Sequence, residues 1–182
     1  MSQKTTTRRY CAGLRRIIPL SLLAWAVLAT SQASGDTLRT ELEFANRINE
    51  ARKAIGLPAL QIQAKLTDEA QNWSNRLREI SGQNLGADCK LSHNPRLADI
   101  TAVSWKTLGE NVACTEADVA ATHQALMDSP EHRKNILDPK FDSVGVAITI
   151  TGNTMFVTQV FMESNIHLSK PNKAGKKGVA KR

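Results

Sequence analysis

The spacing of apolar residues predicts two amphipathic helices in the first half of the chain. Apolar side chains recur with helical spacing after Thr37 and Thr40, and either residue can cap a helix that continues to about Ile55. The same period predicts a second helix over residues 66–80. Residues 81–113 are rich in Gly, Asn and Asp, and we expect them to form a long irregular loop of the kind that carries functional groups.

Strands are predicted near the end of the chain. A third helix is expected over residues 116–127, and Ser129 can cap a short helical turn that begins with Pro130. Apolar and polar residues then alternate over residues 144–150, and a Thr-Gly-Asn turn leads to a partner strand over residues 155–162. Helices that precede a cluster of strands favour an α+β fold, with helices packed over a small antiparallel sheet.

Residues 1–33 have the organisation of a signal peptide. Five Lys and Arg residues precede an apolar run over residues 17–29, which is short for a membrane span. Small residues at Ser31 and Ala33 fit the site that signal peptidase reads, so we place cleavage after Ala33. An uncleaved signal anchor is the alternative, and no second apolar run that could cross a bilayer follows. The rest of the chain is long enough for one domain with a hydrophobic core.

The net charge of +7 is concentrated at the two ends of the chain. The signal segment holds five of the 24 Lys and Arg residues and the tail holds six, while all 17 Asp and Glu residues lie between them. The domain itself, residues 34–164, is therefore acidic, and the high isoelectric point does not indicate a nucleic-acid-binding protein. We expect the basic tail, residues 165–182, to be disordered, either contacting anionic surfaces or solvated without a partner.

The cysteines predict one disulfide bond. Cys11 leaves with the signal peptide, and Cys89 and Cys114 remain in the domain. Two cysteines in an exported chain indicate a bridge, which would stabilise the fold by roughly 3 kcal/mol and hold the loop with His93 near Glu110. A metal-binding role for the pair is the weaker alternative, and free thiols become the better interpretation in a cytosolic chain.

Two histidines and one glutamate provide the candidate chemistry. His93 and Glu110 lie in the predicted loop, and His132 follows the third helix. Two imidazoles and a carboxylate could hold zinc with an open position for water, or act without metal as a general base and its orienting group. Their separations of 17 and 22 residues match no short ligand motif, so the residues alone leave open that each histidine is an ordinary surface group.

Three motifs follow His93 in a characteristic order. They are Gly-Glu-Asn at residues 109–111, Ser-Pro-Glu-His-Arg-Lys-Asn-Ile-Leu at residues 129–137 and Phe-Val-Thr-Gln-Val-Phe at residues 156–161. Together these residues resemble the CAP superfamily of cysteine-rich secretory proteins, antigen 5 and plant pathogenesis-related proteins, in its shorter bacterial form. The resemblance spans residues 40–163 and implies a three-layer α-β-α sandwich. It also implies a cleft with two His and two Glu, in which the two His hold zinc in several members.

Carried onto this sequence, the resemblance implies an altered set of cleft residues. His93 matches the family's first His and Glu110 matches the Glu of Gly-Glu-Asn, whereas Phe156 occupies the position of the second His. The family's helix Glu falls near Ser129, and we expect His132 to enter the cleft from the helix side. His93 and His132 are the candidate metal ligands, and Asn135 could instead simply pin its turn. The expected ligand-binding cleft consists of His93, Glu110, Asn111, His132, Asn135 and Gln159.

These observations favour a non-enzymatic binding module that is secreted or periplasmic, and they assign no catalytic residue. Its ligand would be an envelope lipid, a wall fragment or another protein, and not a nucleic acid. Zinc is the one cofactor that the residues suggest. The alternative is a zinc-dependent hydrolase or peptidase in which His93, Glu110 and His132 activate water.

Overall fold

The computed structural model describes the backbone of residues 20–100 and 102–165 and the side chains from Asp36 onward. The chain divides into two compact units, Met1–Asp36 and Thr37–Arg182. The predicted cleavage site and the basic residues of the tail lie outside the described side chains, so the signal peptide and the tail stay predictions. Within the described residues, no helix is both long enough and apolar enough to span a membrane.

The described fold contains four α-helices, four strands and two short 3₁₀ helices, Gly86–Asp88 and Leu97–Asp99. Helix α1 already begins at Leu20, so the prediction of a helix start at Thr37 or Thr40 was wrong, while its end near Ile55 and the span of the second helix are confirmed within two residues. Helix α3 begins after Asp118, whose carboxylate accepts a hydrogen bond from the Ala121 N–H at 2.8 Å. The helices are α1 Leu20–Ala54, α2 Ala64–Ser81, α3 Val119–Asp128 and α4 Pro130–Ile136. The strands are β1 Gln61–Ile62, β2 Trp105–Glu116, β3 Ser143–Thr151 and β4 Thr154–Ser164.

The sheet has the strand order β1-β3-β4-β2. The predicted hairpin of β3 and β4 is confirmed, and its turn contains Gly152 with a positive φ of 59°. Strand β2 pairs antiparallel with β4, whereas the two-residue β1 pairs parallel with β3. The prediction of a loop through residue 113 was wrong from Trp105 onward, because β2 carries polar side chains that give no alternating apolar pattern.

Helices cover both faces of this sheet, and the predicted three-layer α-β-α arrangement is confirmed. Helix α2 packs on one face, which we call the α2 face, and helices α1, α3 and α4 pack on the other. Alternate side chains of each strand therefore enter different cores. The core opposite the α2 face includes Phe44, Ile48, Leu126, Ile136, Val146 and Phe161, and the α2-side cores include Leu66, Ala70, Leu77, Val112, Phe156 and Val160.

Two residues fix how the helices meet the rest of the domain. Arg52, near the end of α1, is fully buried and donates hydrogen bonds of 2.9 to 3.1 Å to four main-chain carbonyls, those of Pro58, Ile136, Asp138 and Phe141. Gly145 in β3 lies directly against the backbone of α2 at Leu66 and Thr67, where any side chain would collide. Gly145 therefore marks a close approach between the backbones of β3 and α2.

Candidate functional site

The centre of the candidate site is a hydrogen-bonded pair formed by His93 and Glu110. Glu110 lies on the edge strand β2 opposite Val160, so its side chain enters the α2 face of the sheet. The His93 Nδ1 atom lies 2.8 Å from Glu110 Oε1. The imidazole is 67% exposed, whereas the carboxylate side chain is only 4% exposed. The geometry therefore presents an accessible imidazole on a buried carboxylate.

Several contacts hold the segment with His93 in place over β2. The predicted disulfide between Cys89 and Cys114 is present, with Cα atoms 6.5 Å apart, and it joins this segment to β2. The indole N–H of Trp73 on α2 donates to the carbonyl of Ser92 at 2.9 Å. The Lys90 N–H donates to the Ser81 hydroxyl at 2.9 Å. The segment that leads to His93 is thus fastened to α2 and β2 before any ligand binds.

The two oxygens of Glu110 have different surroundings. Oε1 accepts hydrogen bonds from the Asn94 main-chain N–H at 2.9 Å and from His93. Oε2 is buried and has no hydrogen-bond partner among the described residues. A buried carboxylate oxygen without a partner is unfavourable, so this atom requires a donor from outside the protein, such as a water molecule or a ligand group.

Asn111, Asn135 and Gln159 form a separate amide network on the opposite face of the sheet. Asn135 donates to Asn111 Oδ1 at 2.8 Å and to the Glu110 carbonyl at 3.1 Å. Asn111 in turn donates to Gln159 Oε1 and to the His132 carbonyl, both at 3.1 Å. Asn111 and Gln159 are fully buried. Their amides therefore hold α4 on the sheet instead of lining an open cleft, which corrects their expected place beside His93 and Glu110.

Gly109, which precedes Glu110, lies at the same contact between α4 and the sheet. A Cβ atom on Gly109 would lie 2.8 Å from Phe141 Cζ and 3.1 Å from Asn135 Oδ1. Both distances are too short for ordinary contacts, so only glycine lets these two side chains pack against β2. In the Gly-Glu-Asn motif, Gly109 thus allows close packing, Glu110 binds His93, and Asn111 belongs to the amide network.

His132 lies near the pair without joining it. Burial lowers the pKa of His132 most, and repulsion from a positive charge on His93 lowers it further. Among the described residues, no three His, Cys, Asp or Glu side chains are grouped to hold one metal ion. His93, Glu110 and His132 are therefore not grouped around one metal ion among these residues, and a site held by His93 and His132 alone stays a prediction.

The positions of the family's second His and of its helix Glu also carry no metal-binding side chain in this sequence. Phe156, at the position of the second His, is fully buried against Leu77 and Val112. Ser129, near the position of the helix Glu, precedes α4, and its side chain forms no capping hydrogen bond. The residues present accordingly do not fit the zinc centre of some family members.

Sequence reasoning missed three side chains that surround the pair. Asn94 donates from its amide to Glu69 Oε1 at 2.8 Å, while its main-chain N–H binds Glu110. Trp73 anchors the same segment from α2. The only sequence signal for Asn94 is its place directly after His93.

Comparison with known proteins agrees with this architecture. Residues 45–161 match the sequence model of CAP, the cysteine-rich secretory protein family. The chain belongs to the CAP family. An uncharacterized protein of Bacillus subtilis, YkwD, is 28% identical over 124 residues, which cover 68% of this chain and 48% of that protein. This CAP chain thus spans about half the length of the curated relative it matches.

Solved structures of CAP proteins share the fold. A cysteine-rich secretory protein of Staphylococcus aureus superposes with a TM-score of 0.54 at 25% identity, covering 70% of this chain and 39% of that one. An extracellular SCP-domain protein of Bacillus anthracis gives a TM-score of 0.59 at 24% identity, covering 70% and 41%. The Borrelia burgdorferi outer surface protein also gives 0.59, at 20% identity, covering 70% and 95%. These likenesses establish the three-layer CAP architecture.

Proposed function

We propose that this CAP domain is an exported binding module whose recognition surface is centred on His93 and Glu110. The observation that carries the proposal is the exposed imidazole held at 2.8 Å by a buried carboxylate. An ionised carboxylate only accepts hydrogen bonds, so the proton of a neutral His93 resides on Nδ1 and its Nε2 faces a ligand as an acceptor. The similar proteins described as secretory or extracellular support an extracytoplasmic location.

We favour binding over catalysis because, among the described residues, no third metal-ligating side chain joins the pair. His132 does not complete a ligand set with it, and Phe156 replaces the second family histidine with a buried apolar ring. A fastened loop and an oriented acceptor are the properties of a preorganised binding surface. An envelope component is the ligand class that we propose for it.

Sedimentation with washed bacterial envelopes, which contain membrane and wall together, tests this proposal. We expect the wild-type chain to co-sediment and His93→Ala to lower the apparent affinity about tenfold, because the accessible acceptor is lost. Lys134→Ala, an exposed change on α4, serves as the matched control and should leave sedimentation unchanged. Equal sedimentation of wild type and His93→Ala would reject the site, provided that both chains melt at the same temperature.

Hydrolysis is the second candidate, and the same pair supports it. A histidine whose Nδ1 is bound by a carboxylate can accept a proton from water at Nε2, with Glu110 as the orienting group. In that case, a fluorogenic casein substrate would be consumed by the wild-type chain and not by His93→Ala. Turnover that survives His93→Ala would exclude this mechanism.

A further inference from the structure

A cavity lies on the α2 side next to the His93–Glu110 pair, and Asn94 stands between the two. Its volume is about 330 Å³, within the range of small-molecule sites. We call it the Trp73 pocket; it is lined by Glu69, Asn72, Trp73, Asn94, Arg96, Asp99 and Ile100. Apart from the indole ring and the Ile100 side chain, these lining groups are carboxylates, amides and a guanidinium.

Asn94 connects the Trp73 pocket to the pair. Its main-chain N–H donates to Glu110, its amide donates to Glu69, and its side-chain oxygen accepts from the Arg96 N–H at 2.9 Å. All three distances are between 2.8 and 2.9 Å. A ligand in the pocket would therefore lie beside a fixed wall that it shares with the His93–Glu110 pair.

Trp73 offers an aromatic surface whose orientation is set by the fold. Its indole N–H already donates a hydrogen bond to the Ser92 carbonyl at 2.9 Å, so the ring needs no further hydrogen-bond partner. The ring is partly buried on its other side against the core that contains Leu77 and Phe156. What remains for a ligand is a flat apolar surface, which suits the C–H face of a pyranose ring.

The polar lining suits hydroxyl groups. Carboxylate and amide oxygens accept hydrogen bonds, and amide NH₂ groups donate them. The pocket can therefore bind groups, such as hydroxyls, that both donate and accept hydrogen bonds. The Asn72 side chain has no hydrogen-bond partner among residues 36–100 and 102–165, which leaves its amide available. An aromatic face beside several such groups matches a molecule that has one apolar face and a rim of hydroxyls.

The charge of the pocket selects among such molecules. Two carboxylates, Glu69 and Asp99, are opposed by one guanidinium, and Arg96 is paired with Asp99 at 2.8 Å. Glu69 is attracted by the same Arg96 charge but forms no salt bridge among the described residues. Its charge disfavours sulfated, phosphorylated or carboxylated ligands.

We propose that the Trp73 pocket binds the pyranose rings of an uncharged or amine-bearing oligosaccharide, and this rests on the proposed function of the adjoining pair. Trp73 stacks on a ring, and Asn72, Asn94 and Glu69 hydrogen-bond its substituents. An amine on the sugar adds an attraction to Glu69, and this attraction weakens with salt.

Calorimetric titration of the full oxidised chain with a β-1,4-linked N-acetylglucosamine tetrasaccharide tests the proposal. We expect one-to-one binding that Trp73→Ala weakens about tenfold and Asn72→Ala about threefold, whereas Trp73→Phe retains most of the affinity. Arg76→Ala changes an exposed residue of the same helix outside the pocket and is the matched control. Because the Asn72 amide makes no hydrogen bond within the described part of the chain, its variant keeps the test valid even if Trp73→Ala unfolds.

The deacetylated tetrasaccharide tests the charge argument. It should bind more tightly than the acetylated form at low salt, and Glu69→Gln should remove that difference. Absence of binding to both sugars, unchanged affinity in Asn72→Ala and Trp73→Ala, or tighter binding of a sulfated oligosaccharide would overturn the proposal. Envelope sedimentation that depends on His93 without any response to these sugars would reject the Trp73 pocket and leave the proposed function standing.

Discussion

At the scale of single residues, Arg52 shows how a charged side chain can serve the core. Its guanidinium is fully buried and joins α1 to the end of α4 and to the segment before β3 through main-chain carbonyls. Burial lowers the pKa of Arg52, and the Asp138 charge partly opposes that effect. Removing the guanidinium would leave several buried carbonyls without donors.

We therefore predict that Arg52→Met destabilises the domain by about 3 kcal/mol or more. Arg52→Lys should recover only part of the loss, because an ammonium group lacks the planar fork that reaches separate carbonyls. Urea unfolding measures both effects. Arg47→Met is the control, since Arg47 pairs with Glu43 at the surface and should change stability by less than about 1 kcal/mol. Equal losses for the two arginines would contradict this role.

The sequence predicted that His93 and Glu110 lie together. It did not predict that Glu110 and the adjacent Asn111 point to opposite faces of the sheet. Adjacent residues of a strand point to opposite faces, so Glu110 and Asn111 enter different layers once β2 is recognised as a strand. The resemblance to CAP proteins named both residues without indicating their faces. The contacts of Asn94 with Glu69 depend on how α2 and the His93 segment meet in three dimensions, which residue patterns do not encode.

At the scale of elements, the crossing of α2 over β3 depends on the absence of a side chain at Gly145. The backbone of α2 at Leu66 and Thr67 occupies the space where a Cβ atom would lie. Helix α2 also carries Trp73 and Glu69, so its position sets the geometry of the candidate site.

We predict that Gly145→Ala destabilises the domain by about 3 kcal/mol, because α2 must move away from the sheet. Gly152→Ala provides the comparison, since that glycine has a positive φ but open space around it. It should cost only about 1 kcal/mol, through backbone strain alone. Thermal unfolding of the two variants decides the matter, and a Gly145→Ala chain as stable as Gly152→Ala would refute the close approach.

Helices and strands whose apolar residues recur at a regular spacing were predictable from the sequence, and elements without such a spacing were not. In the β3–β4 hairpin, Val144, Val146, Ile148 and Ile150 recur at every second position before a glycine turn, and the hairpin was found as expected. Strand β2 contains Gly109, Glu110 and Asn111, which indicated a loop, although the side chains of Glu110 and Asn111 find partners inside the fold. Local pattern fails where buried polar groups replace apolar ones.

At the scale of the whole molecule, acid should weaken the fold through a buried histidine. His123 on α3 is nearly buried, and its Nδ1 has no hydrogen-bond partner among the described residues. Burial lowers the pKa of His123 most, the Arg47 charge lowers it further, and the Glu50 charge opposes them. The folded state therefore binds a proton less readily than the unfolded state, whose histidines titrate near about pH 6.5.

We predict that the free energy of unfolding falls as the pH drops from about 7 to about 5, and that His123→Leu reduces this slope. The sign follows because the unfolded chain takes up the proton first, so this contribution to stability is complete above the unfolded pKa. Urea unfolding across this range measures the slope. The same variant at about pH 8, where histidines are neutral, reports the packing change alone. An unchanged slope would show that His123 is protonated equally in both states.

The Cys89–Cys114 bridge makes assembly of the site depend on the redox environment in which the chain folds. The bridge packs against the α2-side core of Leu77, Val112 and Phe156, and it ties the segment with His93 to the strand with Glu110. In a compartment that keeps thiols reduced, that segment would rely on a few hydrogen bonds to stay near the carboxylate. A chain that folds under reducing conditions would then form its core while its recognition surface stays unfastened, and oxidation of the two thiols would order that surface.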